Sequence, residues 1–128
     1  MEINELIRIG KEAIAYSRIT PRLKTGDCIC VLESTEDRLY TGYSMSFSNS
    51  CFCAEQSAII QMINDGVYSI KRMVTISKEG QVIPPCGKCI EIISHLPNST
   101  EIEIAISDFA VKFFRDIYPF DWKDVVKK

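Results

Sequence analysis

Apolar positions first recur at helical spacing. Ile3, Leu6, Ile7, Gly10, Ala13, Ile14 and Ser17 fall on one face if residues 2 to about 18 form a helix, and Thr20-Pro21 stops that run. The period then changes to two. Asp27 to Glu33 reads as a strand, and Arg38 to Ser44 as its hairpin partner across the polar turn Ser34-Thr35-Glu36-Asp37. Helical spacing returns with Ala54, Ala58, Ile59, Met62 and Ile63 and ends at Asn64-Asp65-Gly66. Ile70 to Ser77 is a further strand, followed by the turn Lys78-Glu79-Gly80-Gln81. Pro84-Pro85 keeps the chain extended. Cys86 to Leu96 then reads as helix, with Cys89, Ile90, Ile93 and Leu96 at helical spacing. Glu101 to Ile106 and Ala110 to Phe114 are the last two strands.

Only Ser107-Asp108-Phe109 separates those two strands. A parallel pair needs a crossover of about a dozen residues, so they form an antiparallel hairpin. The whole pattern predicts an α/β fold in three layers, α-β-α: a five-stranded mixed sheet with helices on both faces and its last two strands antiparallel. No internal repeat, low-complexity segment or linker interrupts it. A chain of 128 residues reads as one domain, 1–128, long enough to bury a core.

Charge and cysteine content narrow the function classes. The net charge is −2, and no basic run or basic–aromatic patch occurs, so nucleic acid is not expected as a partner. No apolar run is long enough to span a membrane. The start, Met1-Glu2-Ile3-Asn4-Glu5, is acidic where a secretory signal would be basic, so a cytoplasmic location is expected. Six cysteines in such a chain point to a reducing compartment and to metal rather than disulfides. Cys28 and Cys30 alternate along a strand and are expected in the core.

The remaining cysteines carry the chemistry. Cys86 and Cys89, in Pro85-Cys86-Gly87-Lys88-Cys89, are three apart and so share one face of a helix. Cys86 falls in the first turn, where backbone N–H groups and the helix dipole favour a thiolate. Cys53 opens the other helix. One helix and one strand lie between the two clusters, enough chain to bring both helix starts side by side. Cys53, Cys86 and Cys89 are therefore the expected ligands of a zinc ion with an open fourth position. Glu55 lies two residues past Cys53. At that offset it reaches the open position without binding the metal, as a proton shuttle would. Ala54 leaves room for a flat ring. A closed structural site with Cys51 as fourth ligand is the competing arrangement, but such a site has no use for Glu55.

Cys53-Ala54-Glu55 followed by Pro85-Cys86-Gly87-Lys88-Cys89 resembles the cytidine deaminase family in its short, three-cysteine branch. The resemblance covers nearly the whole chain in length and element order, and the tail Phe114 to Phe120 is similar to the family's C-terminal region. It implies a cytidine deaminase-like fold and a homotetramer. It also implies a zinc-dependent hydrolase that converts a cytosine nucleoside to the uracil nucleoside and ammonia, in pyrimidine salvage, with Glu55 moving the protons. The spacing from Thr41-Gly42 to Cys53 resembles blasticidin-S deaminase, so a nucleoside analogue of that kind is the alternative substrate.

The chain departs from the family in four places, one of them the absence around Thr25-Gly26-Asp27 of the aromatic residue that the family usually sets against the ring. Ser44-Met45-Ser46 stands where the family carries Asn-x-Glu against the ribose, which makes Ser44 and Ser46 the expected substrate contacts with Ala54. Gln56 replaces an arginine beside the thiolates, and Ile90-Glu91 replaces Arg-Gln. Three thiolates leave a net negative centre, so Gln56, as a hydrogen-bond donor, and Lys88, as a charge, are the expected neighbours that offset it. The change at Ser44 and Ser46 also leaves room for a catalytically silent, zinc-stabilised binding module, against which the intact Glu55 argues. His95 is expected exposed at a helix end. Phe47 and Phe52 either flank a base or pack in the core. Asn49 is expected in a loop before the site, and Asp121-Trp122 either caps a neighbouring subunit's site or packs locally.

Overall fold

The structure is a computed structural model and describes residues 1–126. In chain order it contains α1 (Ile3–Glu12), β1 (Ser17–Thr20), β2 (Leu23–Ser34), β3 (Leu39–Phe47), β4 (Ser50–Phe52), α2 (Ala54–Asn64), β5 (Ile70–Ser77) and β6 (Val82–Ile83). There follow α3 (Gly87–Ser94), β7 (Glu103–Ser107), β8 (Ala110–Phe113) and the single-turn α4 (Phe114–Ile117), with 3-10 turns at Ser99–Glu101 and Trp122–Asp124.

From Ile29 to Ser34 every residue of β2 is buried, so both faces of the sheet are covered there. On one face Leu6 of α1 packs with Ile29, Val31, Val74, Ile76 and Ala105. On the other, Cys30, Leu32, Met73 and Ile104 pack against Ala58, Ile59 and Met62 of α2 and Ile93 of α3. The period of two along β2 thus sends alternate side chains into two separate cores. Among the described residues no helix is long and apolar enough to cross a membrane.

The strands run β4-β3-β2-β5-β7-β8, with β1 added to β2 and β6 to β5. Every pairing is antiparallel except β5 with β7, so the sheet is mixed. The last two strands form the expected antiparallel hairpin, with Glu103 opposite Phe113 and Ser107 opposite Ala110. The five expected strands correspond to β2, β3, β5, β7 and β8. The sheet gains three short ones, β1, β4 and β6, that are too brief to show a period.

Two boundaries moved for identifiable reasons. The first helix stops at Glu12 rather than near residue 18. The Tyr43 hydroxyl donates to the Ala13 carbonyl at 2.5 Å, and the β-branched Ile19 and Thr20 run as β1 against the start of β2 instead. The second strand begins at Leu23, four residues before Asp27, because it continues through an irregularity between Thr25 and Ile29. Gly26 takes φ +85° there, and its Cα presses on the Ala15 backbone so closely that no Cβ would fit.

Candidate active site

The two cysteine motifs start two helices. Cys53 is the N-cap of α2 and Cys86 the N-cap of α3, while Cys89 lies one turn further on α3. Their sulfurs meet: Cys53 Sγ and Cys86 Sγ are 3.6 Å apart, Cys86 Sγ and Cys89 Sγ are 3.4 Å apart, and all three lie within 4.8 Å of one another. Tetrahedral zinc with Zn–S bonds of about 2.3 Å needs sulfurs about 3.8 Å apart. The donor set therefore fits zinc in number, chemistry and spacing. Cys51 is exposed on β4 and is not part of the cluster, so the described residues offer three ligands and not the closed set of four.

The three thiols differ in how readily they ionise. Burial, then the adjacent Cys86 sulfur, holds Cys53 above the ordinary thiol value. Burial, then the Glu55 charge, pushes Cys89 far higher. Burial opposes ionisation at Cys86 too, but the Cys89 backbone N–H and the neighbouring thiols outweigh it and keep Cys86 low. Ionising all three at this spacing would need a cation to neutralise them, which is what a metal bound here would supply.

Glu55, on the first turn of α2, is 4 % exposed. Burial raises its carboxyl above the usual carboxylate value, against the pull of its own backbone N–H and then of Thr75 and Cys89. It shares with Cys53 and Cys86 a cleft of about 200 Å³, mostly apolar, whose other walls include Cys28, Ser44, Ser46, Phe52, Thr75 and Ile83. Thr75 Oγ1 is close enough to bias Glu55 electrostatically but meets no partner with hydrogen-bond geometry, and it is buried. An unsatisfied buried hydroxyl is uncommon and asks for an explanation. Thr75 is among the residues that line the cleft, beside Glu55. Thr75 escaped the sequence reading, although it is the only polar residue among Met73, Val74 and Ile76. Cys28 also corrects an expectation: it is half-buried on the cleft wall, while Cys30 alone is fully buried in the core.

The other expected site residues take specific places. Ala54 is buried and lines the cleft. Ser44 Oγ accepts the Cys28 N–H at 3.0 Å, and the Ser44 carbonyl accepts Thr25 Oγ1 at 2.8 Å, so Ser44 holds the irregular stretch of β2 in place. Ser46 lies further out on the same wall. Gln56 Oε1 accepts the Cys53 N–H at 2.8 Å, one half of a capping box whose other half is Cys53 Sγ facing the Gln56 N–H. Lys88 Nζ points to the Cys51 carbonyl at 3.5 Å. Neither side chain makes a hydrogen bond to a ligand sulfur. Two helix N-termini and the backbone N–H groups of Gln56 and Cys89 add positive potential at the thiols.

His95 is exposed at the end of α3 and bonds Glu91 at 2.9 Å. Trp122 Nε1 donates to the same Glu91 at 3.0 Å, which ties the C-terminal tail to α3. Phe47 and Phe52 stack at 5.9 Å between centroids, both exposed, at the outer end of the cleft. Asn49 is in the turn between β3 and β4.

Comparison with known proteins agrees with this geometry. The chain is 25 % identical over 105 residues to a cytidine deaminase of Sporosarcina psychrophila, covering 78 % of this chain and 74 % of that one. In three dimensions it resembles the cytidine deaminase of Mycobacterium tuberculosis, with TM-score 0.74, 19 % identity and coverage of 95 % of this chain and 98 % of that one. It also resembles the cytidine deaminase of Burkholderia pseudomallei, with TM-score 0.72, 21 % identity and coverage of 94 % and 98 %. The model of the family described as "Cytidine and deoxycytidylate deaminase zinc-binding region" matches residues 2–102, a span holding the three clustered thiols and Glu55, and the chain belongs to that family.

Proposed function

We propose that this protein is a zinc-dependent deaminase that hydrolyses a cytosine nucleoside to the uracil nucleoside and ammonia. The observation that carries the reading is the meeting, in one small apolar cleft, of three thiols from two helix starts and a single buried carboxyl. Cys53, Cys86 and Cys89 would hold the zinc, which would supply the Lewis acidity that brings the pKa of a water molecule toward neutrality.

The chain's own groups account for the rest. The space beside Ala54 admits a flat ring, and the apolar walls exclude bulk water. Glu55 removes one proton from the attacking water and hands it to the ring nitrogen; it then takes the second proton from the hydroxyl newly formed on the ring carbon and gives it to the amine, so that the C–N bond breaks, the carbonyl forms and ammonia leaves. A carboxyl raised by burial both takes a proton readily and returns it, as a shuttle must. A silent binding module would have no reason to keep an ionisable Glu55 buried.

The sugar side is less family-like. Ser44 Oγ accepts the Cys28 N–H but keeps its own O–H to donate, so Ser44 and Ser46 both offer a short neutral hydroxyl where the family carries Asn and Glu. That favours, as second reading, an analogue with a different group in the ribose position, such as blasticidin S. A homotetramer and a role in salvage, in the cytoplasm, accompany the first reading.

The test is ammonia release by zinc-loaded protein from cytidine, deoxycytidine, cytosine and blasticidin S. Glu55→Gln should lower turnover at least about a hundredfold, the lower end of general acid–base contributions, with zinc content unchanged. Cys51→Ser should keep both zinc and turnover. Turnover that survives Glu55→Gln, or zinc lost with Cys51→Ser, would refute the open catalytic site.

A further inference from the structure

Thr75 occupies a position suited to an apolar side chain. Along β5, Val74 and Ile76 pack on the α1 face of the sheet, and Met73 packs on the face covered by α2 and α3. Thr75 falls on that second face. It lies opposite Cys30 of β2, which packs there too, and opposite Ile83 of β6. Thr75 is 2 % exposed, and its Oγ1 alone among the buried side-chain nitrogens and oxygens of the described residues has no hydrogen-bond partner. Valine has the same shape and would fill the position without stranding a hydroxyl. The hydroxyl thus costs stability where it stands. Departures of this kind from local rules gather at functional sites.

We propose that Thr75 is a positioning residue for Glu55: in the active geometry its hydroxyl donates to one oxygen of the Glu55 carboxylate, which leaves the other oxygen aimed at the reacting atoms. The inference rests on the deaminase reading above and gives Glu55 its support.

The surroundings of Glu55 single out Thr75. Glu55 stands on the first turn of α2, buried, and lines the same cleft as Thr75. Beyond its own backbone N–H, the groups that favour its charged form are Thr75 and then Cys89. Cys89 is one of the three clustered thiols, and a sulfur that binds metal has lost the proton it could donate. Cys30, opposite Thr75, and Cys28, on the cleft wall, offer only thiols, which are weak donors. The Thr75 hydroxyl remains. Its strand lies inside the sheet, between β2 and β7, and a β-branched side chain is stiff at χ1, so the hydroxyl is held in one direction. Glu55 has a longer side chain with more freedom. A shuttle must serve a water molecule and a ring nitrogen in turn, and small misplacements there are costly to turnover. A rigid donor against a flexible carboxylate confines it.

The experiment compares zinc-loaded wild type, Thr75→Val and Thr75→Ser, reading ammonia release from cytidine. We expect Thr75→Val to lower kcat about ten- to a hundredfold, the size of one hydrogen bond to a charged group, with KM unchanged. Thr75→Ser keeps the hydroxyl and should recover most of that loss. Zinc content should be equal in all three, and metal-free Thr75→Val should unfold in urea at or above the wild-type midpoint. Adding Thr75→Val to Glu55→Gln should lower kcat no further, because Thr75 acts through Glu55. Four results overturn the assignment while leaving the deaminase reading standing: an unchanged kcat in Thr75→Val, a raised KM with kcat unchanged, a loss that Thr75→Ser does not recover, or a further loss in the Glu55→Gln background. Earlier unfolding or lower zinc content in Thr75→Val would mark Thr75 as a packing residue and overturn it too. The infrared band that Glu55→Gln removes reports the carboxyl without turnover: Thr75→Val should shift it and Thr75→Ser should not. If the wild type itself releases no ammonia, the deaminase reading falls and this band decides. A shift sustains the hold of Thr75 on Glu55, and an unmoved band overturns it.

Discussion

Gly42→Ala should disturb the active site from outside it. Gly42 lies on β3 where α2 crosses most closely. A Cβ built there would stand 2.7 Å from the carbonyl carbon and Cβ of Ser57, and nearer still to Ala58 N. Ordinary contact begins at 3.4 Å, so the helix must retreat by at least about 0.7 Å or the strand must distort. The same contact is held by two hydrogen bonds, Ser57 Oγ to the Tyr43 carbonyl at 2.8 Å and Gln61 Nε2 to the Thr41 carbonyl at 2.6 Å. Overpacking costs about 1–3 kcal/mol, and weakening the two bonds adds up to about 1 kcal/mol each. We expect a loss of about 3 kcal/mol in urea unfolding of the metal-free protein. Because Cys53 and Glu55 ride on the first turn of α2, the shift reaches the site. Displacements approaching 1 Å can cost about a hundredfold in turnover. Gly87→Ala is the control: a Cβ there meets open space, and the residue opens α3 with no positive φ, so stability should rise by about 0.5 kcal/mol. The reasoning is refuted if Gly42→Ala unfolds within about 0.5 kcal/mol of wild type, or if it is destabilised while turnover is untouched.

Arg72 links three strands through Glu33 at 2.9 Å and Glu103 at 2.7 Å, and the Glu33 side chain is only 4 % exposed. Arg72→Met should cost about 2–3 kcal/mol in urea unfolding, somewhat below the 3–5 of a fully buried pair because Glu103 is partly solvated. Most of that loss should be recovered in Glu33→Gln/Arg72→Met, since it comes from stranding a buried charge. Burial works to raise the Asp27 carboxyl, but hydrogen bonds from Lys24 and then Lys78 outweigh it and hold it below the usual carboxylate value. Its stabilisation is therefore present above the unfolded value, near pH 4, and is lost as pH falls through the lower folded value. Asp27→Asn should destabilise by less than about 1 kcal/mol at neutral pH, because both pairs are partly solvated, and the difference from wild type should vanish in acid. Equal losses at all pH values would rule out the ion pairs as the cause.

The sequence by itself determined the layers, the antiparallel end of the sheet and the three thiols with their carboxyl. Each rests on a local rule. Ser107-Asp108-Phe109 is too short for a crossover, the spacing of Cys86 and Cys89 is one helical turn, and Cys53-Ala54-Glu55 sits where a helix must start. Local rules also explain the errors. The apolar spacing past Ala13 suited a helix, but Ile19 and Thr20 had a strand to pair with, and pairing between distant segments carries no local period. The sharing of roles around the site was decided only in three dimensions. Gln56 and Lys88 carry the right chemistry to assist a thiolate, yet Gln56 caps its own helix and Lys88 meets Cys51, and backbone N–H groups face the sulfurs instead. Ser44 reads as a sugar contact, and only the pairing of β2 and β3 shows that its hydroxyl also holds the Cys28 N–H. Thr75 becomes conspicuous only once folding buries it without a partner. Helix starts and turns are encoded within a few residues; which polar groups are left free to meet a ligand depends on every element packed around them.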